Sequence, residues 1–333
     1  MNIQALVILL TTVVVIVLTL LPTFLMSRKQ KTSEEDWAVA SRSLPMFVVI
    51  GTQFASLMGG GLLVGHVTSA YLNGVSHMIY GVLVCSPLLI LMVLAKWLRK
   101  NNFTTIPEIL ASFCGKSKAI QVIAAIMTII VPFGWVTSQI TAFGSIYSGL
   151  TGLNYEALCI IFALISLFFI MPAGLKTVAW TDFIFSCFII VFLVITLVYV
   201  TKIAGGTQGI IENADPVLLS LPESVERLGW STIFLWIFAI MPGGITNQLY
   251  FQRVCAIDNE KKVNKSLLIS FIIAMLGFCW AVYMGIAINA ANPNITDGGQ
   301  TSWFMGQLPL PLLAIFAALV FAALMSTVSS GVQ

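Results

Sequence analysis

Residues 45–65 read PMFVVIGTQFASLMGGGLLVG. The stretch is apolar enough to lie in a bilayer and about long enough to cross one. Yet Gly59, Gly60 and Gly61 stand together near its middle, and glycine loses more backbone entropy in a helix than any other residue. One reading is close helix packing through small residues. The other is a broken span whose freed backbone groups face protein or a water-filled cavity, because hydrocarbon cannot satisfy them. Breaks of the second kind turn carbonyl oxygens and helix ends toward ions and solutes. The stretch alone leaves both readings open.

The rest of the chain says where such a stretch sits. Of 333 residues, 59% are hydrophobic and only 9% are charged, and the mean hydropathy is +1.00. A soluble domain carries about 25% charged residues, so the fold class is an all-α polytopic membrane protein. The formal charge is +3 and its basic residues are scattered between spans, which excludes nucleic acid as a partner. Cys85, Cys114, Cys159, Cys187, Cys255 and Cys279 show no metal spacing and read as small buried hydrophobes rather than disulfides or ligands.

The first apolar run, 4–26, has no basic start and no cleavage site, so it is a membrane anchor and not a signal peptide. Arg28, Lys29 and Lys31 follow it, which puts the N-terminus outside. Further spans are expected at 46–70, 77–98, 120–149, 155–172, 177–201, 230–250, 266–290 and 308–330, with a partly helical surface segment at 101–119. On that topology Arg28, Lys29, Lys31, Arg42, Lys96, Arg99, Lys100, Lys116, Lys118, Lys176, Arg253, Lys261, Lys262 and Lys265 face the cytoplasm. Only Lys202 and Arg227 lie outside, as the positive-inside rule requires. The outer loops 202–229 and 291–307 read as solvated connectors. The second carries an N-x-T pattern at Asn294.

Chemistry concentrates in a few places. The last span ends FAALMSTVSS, with hydroxyls at Ser326, Thr327, Ser329 and Ser330. They either bond back to the preceding turn or form a cation site, Ser326 and Thr327 joining carbonyls near Ala55 and Met58. An all-oxygen set suits a hard cation such as Na⁺. Asp182 either caps its helix start or draws a cation along the inner side. Residues 243–253, GGITNQLYFQR, are either a helix exit with interfacial anchors or a moving inner gate at Asn247 and Tyr250. His66 and His77 read as a packed polar residue and an outer-interface residue. No zinc-protease, Walker, Rossmann or nucleophile-elbow pattern occurs, and no acid–base cluster points to an enzyme.

Four stretches, SRSLP at 41–45, GLKTVAWTD at 174–182, NQLYFQR at 247–253 and AALMST at 322–327, together resemble the sodium/solute symporter family, which includes sugar and proline cotransporters. The resemblance implies a leucine-transporter-like fold: an extra N-terminal helix over 1–27, a first five-helix repeat over 46–201, and an inverted second repeat over 230–333. The first helix of each repeat would be broken. Two helices of the second repeat are missing, so the chain reads as truncated, a piece of a longer transporter. The implied Na⁺ site is the carbonyls of Ala55, Met58 and Ala323 with the hydroxyls of Ser326 and Thr327, and Asp182 would lie on the ion's exit route. Leu57 stands where several members hold a polar substrate contact, and Gln53, Ser56, Gly59, Gly60 and Gly61 are the neighbouring solute candidates. The implied function is Na⁺-coupled symport of a small organic solute across the cell membrane by alternating access. A non-transporting solute sensor or scaffold and a proton-coupled transporter are the alternatives, the latter disfavoured by an ion site without a titratable group. No residue pattern specifies the solute, a second ion or the oligomeric state.

Overall fold

A backbone amide in hydrocarbon has only its own chain to bond, so long apolar runs close on themselves as helices. In a computed structural model describing residues 3–27, 39–101, 103, 105–114, 117–170, 174–296 and 298–332, they do so close to the expected positions. Helix α1 spans Ile3–Ser27. Met46–Leu57 (α2) is followed by a π-helical turn, Gly61–His66, and by Val67–Asn73 (α3). Then come His77–Lys100 (α4), Ile106–Phe113 (α5), Lys118–Thr151 (α6), Tyr155–Ile170 (α7) and Leu175–Ile203 (α8). Three short helices follow: Gly206–Asn213 (α9), Pro216–Leu219 (α10) and Leu221–Leu228 (α11). The chain continues through Trp230–Ile245 (α12), Gln248–Ala256 (α13), Glu260–Ala291 (α14), Gln300–Gly306 (α15) and Leu310–Val332 (α16).

Burial sorts these helices. Val93 on α4 and Phe133 on α6 are 82% and 69% exposed, part of an apolar outer belt that only lipid can cover. By contrast α16 is buried from Ser326 to Ser330 as thoroughly as along its apolar half. It is surrounded by α1, α2, α6, α7 and α8, while α2 also packs against α8 and α14. The Ser- and Thr-rich end of α16 therefore meets the glycine stretch in the middle of the bundle.

The glycines serve both purposes considered above. Helix α2 stops at Leu57, and the bend lies at Met58 and Gly59, one residue earlier than the triplet itself. A Cβ on Gly59 would overlap Thr327 Oγ1 of α16 and meet Gln139 Oε1 of α6, and one on Gly60 would press on Ala142 and Leu324. Gly61 has nothing within 4 Å. Two glycines admit neighbouring helices and the third borders open space.

Several expectations need correction. Residues 247–256 are not a helix exit: after a second break at Thr246, Asn247 caps α13 by accepting the Leu249 N–H at 2.9 Å, and every α13 residue from Leu249 to Ala256 is buried. Arg253 is thus no loop charge, and its side chain has no exposure. Arg28, Lys29, Lys31 and Lys116 lie outside the described residues. The segment 202–229 is no solvated connector, since α10 and α11 close over the turn between α3 and α4. There Gly74 takes φ +61°, and a Cβ would run into the backbone of Leu218. The 291–307 segment likewise folds back: Thr301 Oγ1 donates to the Leu63 carbonyl at 2.6 Å and Thr68 Oγ1 to Gln300 Oε1 at 2.8 Å. Asn294 is exposed. The cysteines are free, but Cys114, Cys187 and Cys279 are exposed, so uniform burial does not hold.

The SRSLP stretch acquires a physical role. Leu44 forms a parallel bridge with Ile257: its N–H donates to the Ala256 carbonyl and its carbonyl accepts from Asp258 N–H, both at 2.9 Å. Arg99 Nη1 donates to the carbonyls of Val254, Cys255 and Ile257 beside it.

Candidate functional site

The two halves of the expected cation site meet. Ala55 and Met58 are buried at the bend, and Ala323, Ser326 and Thr327 are buried on α16. Thr327 Oγ1 lies 3.2 Å from the Ser56 carbonyl and 3.1 Å from that of Ala323, its hydrogen shared between them. This stitches the bend to α16. Around the bend, Met58 N–H bonds the Phe54 carbonyl, and Leu62 and Leu63 bond back to Gly59, each at 3.0 Å. The Ala55 carbonyl is thereby left without the Gly59 amide that an unbroken helix would bring to it. Ser326 is buried, and the Asp182 carboxylate lies beside it. Carbonyls, hydroxyls and a carboxylate are the donor type a hard cation takes.

Asp182 does not act as a simple helix cap. Thr52 Oγ1 donates to its Oδ2 at 2.6 Å and Ser330 Oγ at 3.3 Å, and Arg253 Nη2 lies 3.7 Å away. Arg253 Nη2 also reaches Ser330 Oγ at 2.7 Å, Thr52 Oγ1 at 2.9 Å and Ser56 Oγ at 3.0 Å. Its Nη1 donates to the Leu249 carbonyl at 3.1 Å. A buried charge persists only when paired and hydrogen-bonded, and both conditions are met. Ser326 is the further hydroxyl beside the carboxylate. Sequence reasoning missed Thr52 and misread Arg253. A signal existed: an acid inside a span demands a partner, and Arg253 ended one of the four family stretches.

A cavity of about 590 Å³ lies against the bend, bordered by α4, α6, α12 and α13. Ser56, Leu57, Gly59, Gly61, Asn247 and Tyr250 line it, as does Thr327 of the expected cation site. Two solute candidates do not line it. Gln53 is fully buried with both ends of its amide unbonded, and Gly60 gives its N–H to Gln139 Oε1 at 2.5 Å. Gln139 does line the cavity, with Trp135, Tyr80, Trp236 and Phe278; none of these was singled out from the sequence. His66 and His77, given separate roles above, line it together, with His66 Nδ1 and His77 Nε2 3.0 Å apart.

This geometry can be set beside known proteins. The profile of the Sodium:solute symporter family matches residues 37–333. A sodium/proline symporter of Salmonella typhimurium is 25% identical over 326 residues, covering 89% of this chain and 62% of its own length. A high-affinity proline transporter of Bacillus subtilis is 23% identical over 325 residues, covering 91% of this chain and 66% of its own. The chain thus spans less than two thirds of the length of these curated relatives. Among solved structures, a substrate-bound, outward-open Na⁺-coupled sialic acid symporter superposes with a TM-score of 0.81 at 18% identity, covering 98% of this chain and 71% of that one. The fold is the leucine-transporter-like one that the four stretches implied.

Proposed function

The chain belongs to the sodium:solute symporter family, and from that premise we propose that it carries a small organic solute across the cell membrane together with Na⁺, by alternating access. The observation that carries this reading is Thr327 Oγ1, which lies within hydrogen-bond distance of the Ser56 carbonyl at the break and of the Ala323 carbonyl on α16, with Ser326 next in the chain and the Asp182 carboxylate beside Ser326. Na⁺ would take the carbonyls of Ala55, Met58 and Ala323 and the hydroxyls of Ser326 and Thr327. Asp182, beside Ser326 and bonded to Ser330, lies where the ion leaves. Asn247 and Tyr250, on the cavity wall at the second break, form the gate on that side.

Residues 46–201 then make the first repeat and 230–333 the start of the second, with 1–27 outside both. The bends at Met58–Gly59 and Thr246–Asn247 support that division, since each falls in the first helix of its repeat. The basic residues other than Lys202, Arg227 and the buried Arg253 support an N-terminus outside. Na⁺ binding can favour one access state only by binding it more tightly than the other. A site that requires the bend and α16 to touch meets that condition.

The test is thermal stability of the protein in NaCl against KCl at equal ionic strength. At a hundredfold excess over Kd, Na⁺ adds about 2.7 kcal/mol to the state that binds it. Thr327→Ala removes one ligand and the stitch to Ser56, and should abolish most of that Na⁺-specific gain. An unchanged gain in Thr327→Ala, or equal stability of the unaltered protein in both salts, would count against the site.

A further inference from the structure

The break after α2 is held by an exchange of hydrogen-bond partners. In an unbroken helix the Gly60 N–H would donate to the carbonyl of Ser56, four residues back. Here it donates to Gln139 Oε1 of α6, at 2.5 Å. The Ser56 carbonyl turns to Thr327 Oγ1 of α16, at 3.2 Å. An acceptor from one neighbouring helix and a donor from another thus stand in for the two ends of a single missing helical bond. Both lie out of water, Gln139 being 3% exposed and Thr327 4%. A buried amide and a buried carbonyl each need a partner, and the exchange supplies both.

The Gln139 amide is itself fixed in orientation. Its Nε2 donates to the Trp135 carbonyl at 3.0 Å and to Ser138 Oγ at 2.9 Å. Ser138 Oγ in turn donates to the same Trp135 carbonyl at 2.7 Å. With the nitrogen committed to acceptors on α6, the oxygen faces the bend, and a flipped amide would set its N–H against that of Gly60. The approach requires glycine at both positions, since a Cβ on Gly59 or on Gly60 would press on this same Oε1.

The exchange bears on the cation residues. Without an acceptor on α6, the helical partner of the Gly60 N–H is the Ser56 carbonyl, and closing that bond extends α2. The same turn brings the Gly59 N–H back to the Ala55 carbonyl. Both carbonyls are then spent inside the helix, one lost to the ion and the other to Thr327. We propose that Gln139 is a positioning residue for Na⁺. It keeps the break open, and so keeps the Ala55 carbonyl and Thr327 Oγ1 in place, without touching the ion. The inference rests on the cation site proposed above.

The experiment takes the full chain in lipid nanodiscs with no solute added, so that contact between Gln139 and a solute does not enter. Tm is followed as NaCl replaces KCl at constant ionic strength, and the Na⁺ concentration at half of the shift is read. Gln139→Met keeps the length of the side chain and loses the carbonyl. The half-point should then rise about tenfold, the size of one lost hydrogen bond. Tm in KCl alone should stay within about 2 °C of the parent, because the reclaimed helical bonds offset the lost one. Gln139→Glu keeps an oxygen at the same reach and should leave the half-point at or below that of the parent. Should Gln139→Met fail to fold, Gln139→Asn, one methylene too short for Gly60, carries the same test. An unchanged half-point in these variants, with or without a lower Tm in KCl, would reduce Gln139 to a packing residue and overturn the proposal. A rise of the same size in Gln139→Glu would overturn it too, since the acceptor would then be irrelevant. A parent protein without any Na⁺-specific shift fails earlier, on the cation site itself, and takes the proposal with it.

Discussion

Replacing Asp182 by Asn tests whether the carboxylate exists to balance Arg253. Asn keeps an oxygen that can accept from Thr52 and Ser330, so the change removes charge more than hydrogen bonding. The side chains of Arg253 and Asp182 are 0% and 1% exposed and their closest N···O distance is 3.7 Å. At an effective dielectric of about 20, that separation corresponds to about 4–5 kcal/mol of attraction. Deleting one member of such a buried pair costs about 3–5 kcal/mol, because the other charge stays behind. Arg253→Met should cost a similar amount by stranding Asp182. The double variant, Asp182→Asn with Arg253→Met, should cost about 2–3 kcal/mol less than the two single losses added together. Unfolding would be followed by tryptophan fluorescence in lipid nanodiscs, in KCl, so that Na⁺ binding does not enter the balance. Strictly additive losses, or an Asp182→Asn variant within 1 kcal/mol of the parent (on the order of a surface substitution), would refute the charge-balance argument.

Two glycines in one triplet should behave oppositely. Gly59→Ala drives a Cβ into Thr327 Oγ1 and Gln139 Oε1, an overpacking cost of about 1–3 kcal/mol, and should lose the Na⁺-specific thermal shift. Gly61→Ala meets open space and should keep it. At the far turn, Gly74→Ala combines φ +61° with a clash against the Leu218 backbone, and should lower Tm by the equivalent of more than about 1 kcal/mol. An unchanged Tm there would mean that α10 is free to move aside.

What could be read from the chain and what could not divide by range. Helix positions were legible because each rests on a continuous apolar run, and the break was legible because three glycines interrupt one. Its placement at Met58–Gly59 was not, since it depends on α16 and α6 pressing on Gly59 and Gly60. That the hydroxyls of AALMST would meet the glycine stretch was legible in those two stretches. The Asp182–Arg253 pair was not, because the two residues belong to separate helices, brought together only when α8, α13 and α2 pack. The His66–His77 contact depends in the same way on the turn between α3 and α4. One signal was present and passed over: Leu221, Val225 and Leu228 recur at helical spacing in LPESVERL, the mark of α11 in a segment read as a connector.

The short bridge of Leu44 to Ile257 has a mechanical meaning. It couples the start of α2 to the end of α13 through two backbone bonds, with Arg99 clasping the same strand of carbonyls. Each coupled segment leads to its own bend, at Met58–Gly59 and at Thr246–Asn247. Two levers fastened at their tips and pivoting at their far ends share a single degree of freedom. Spin labels on the two fastened tips should therefore report one distance in Na⁺ and in K⁺, whatever the rest of the bundle does. On the proposed carrier reading, an ion gripping one pivot and a solute resting against the other would work the same crank.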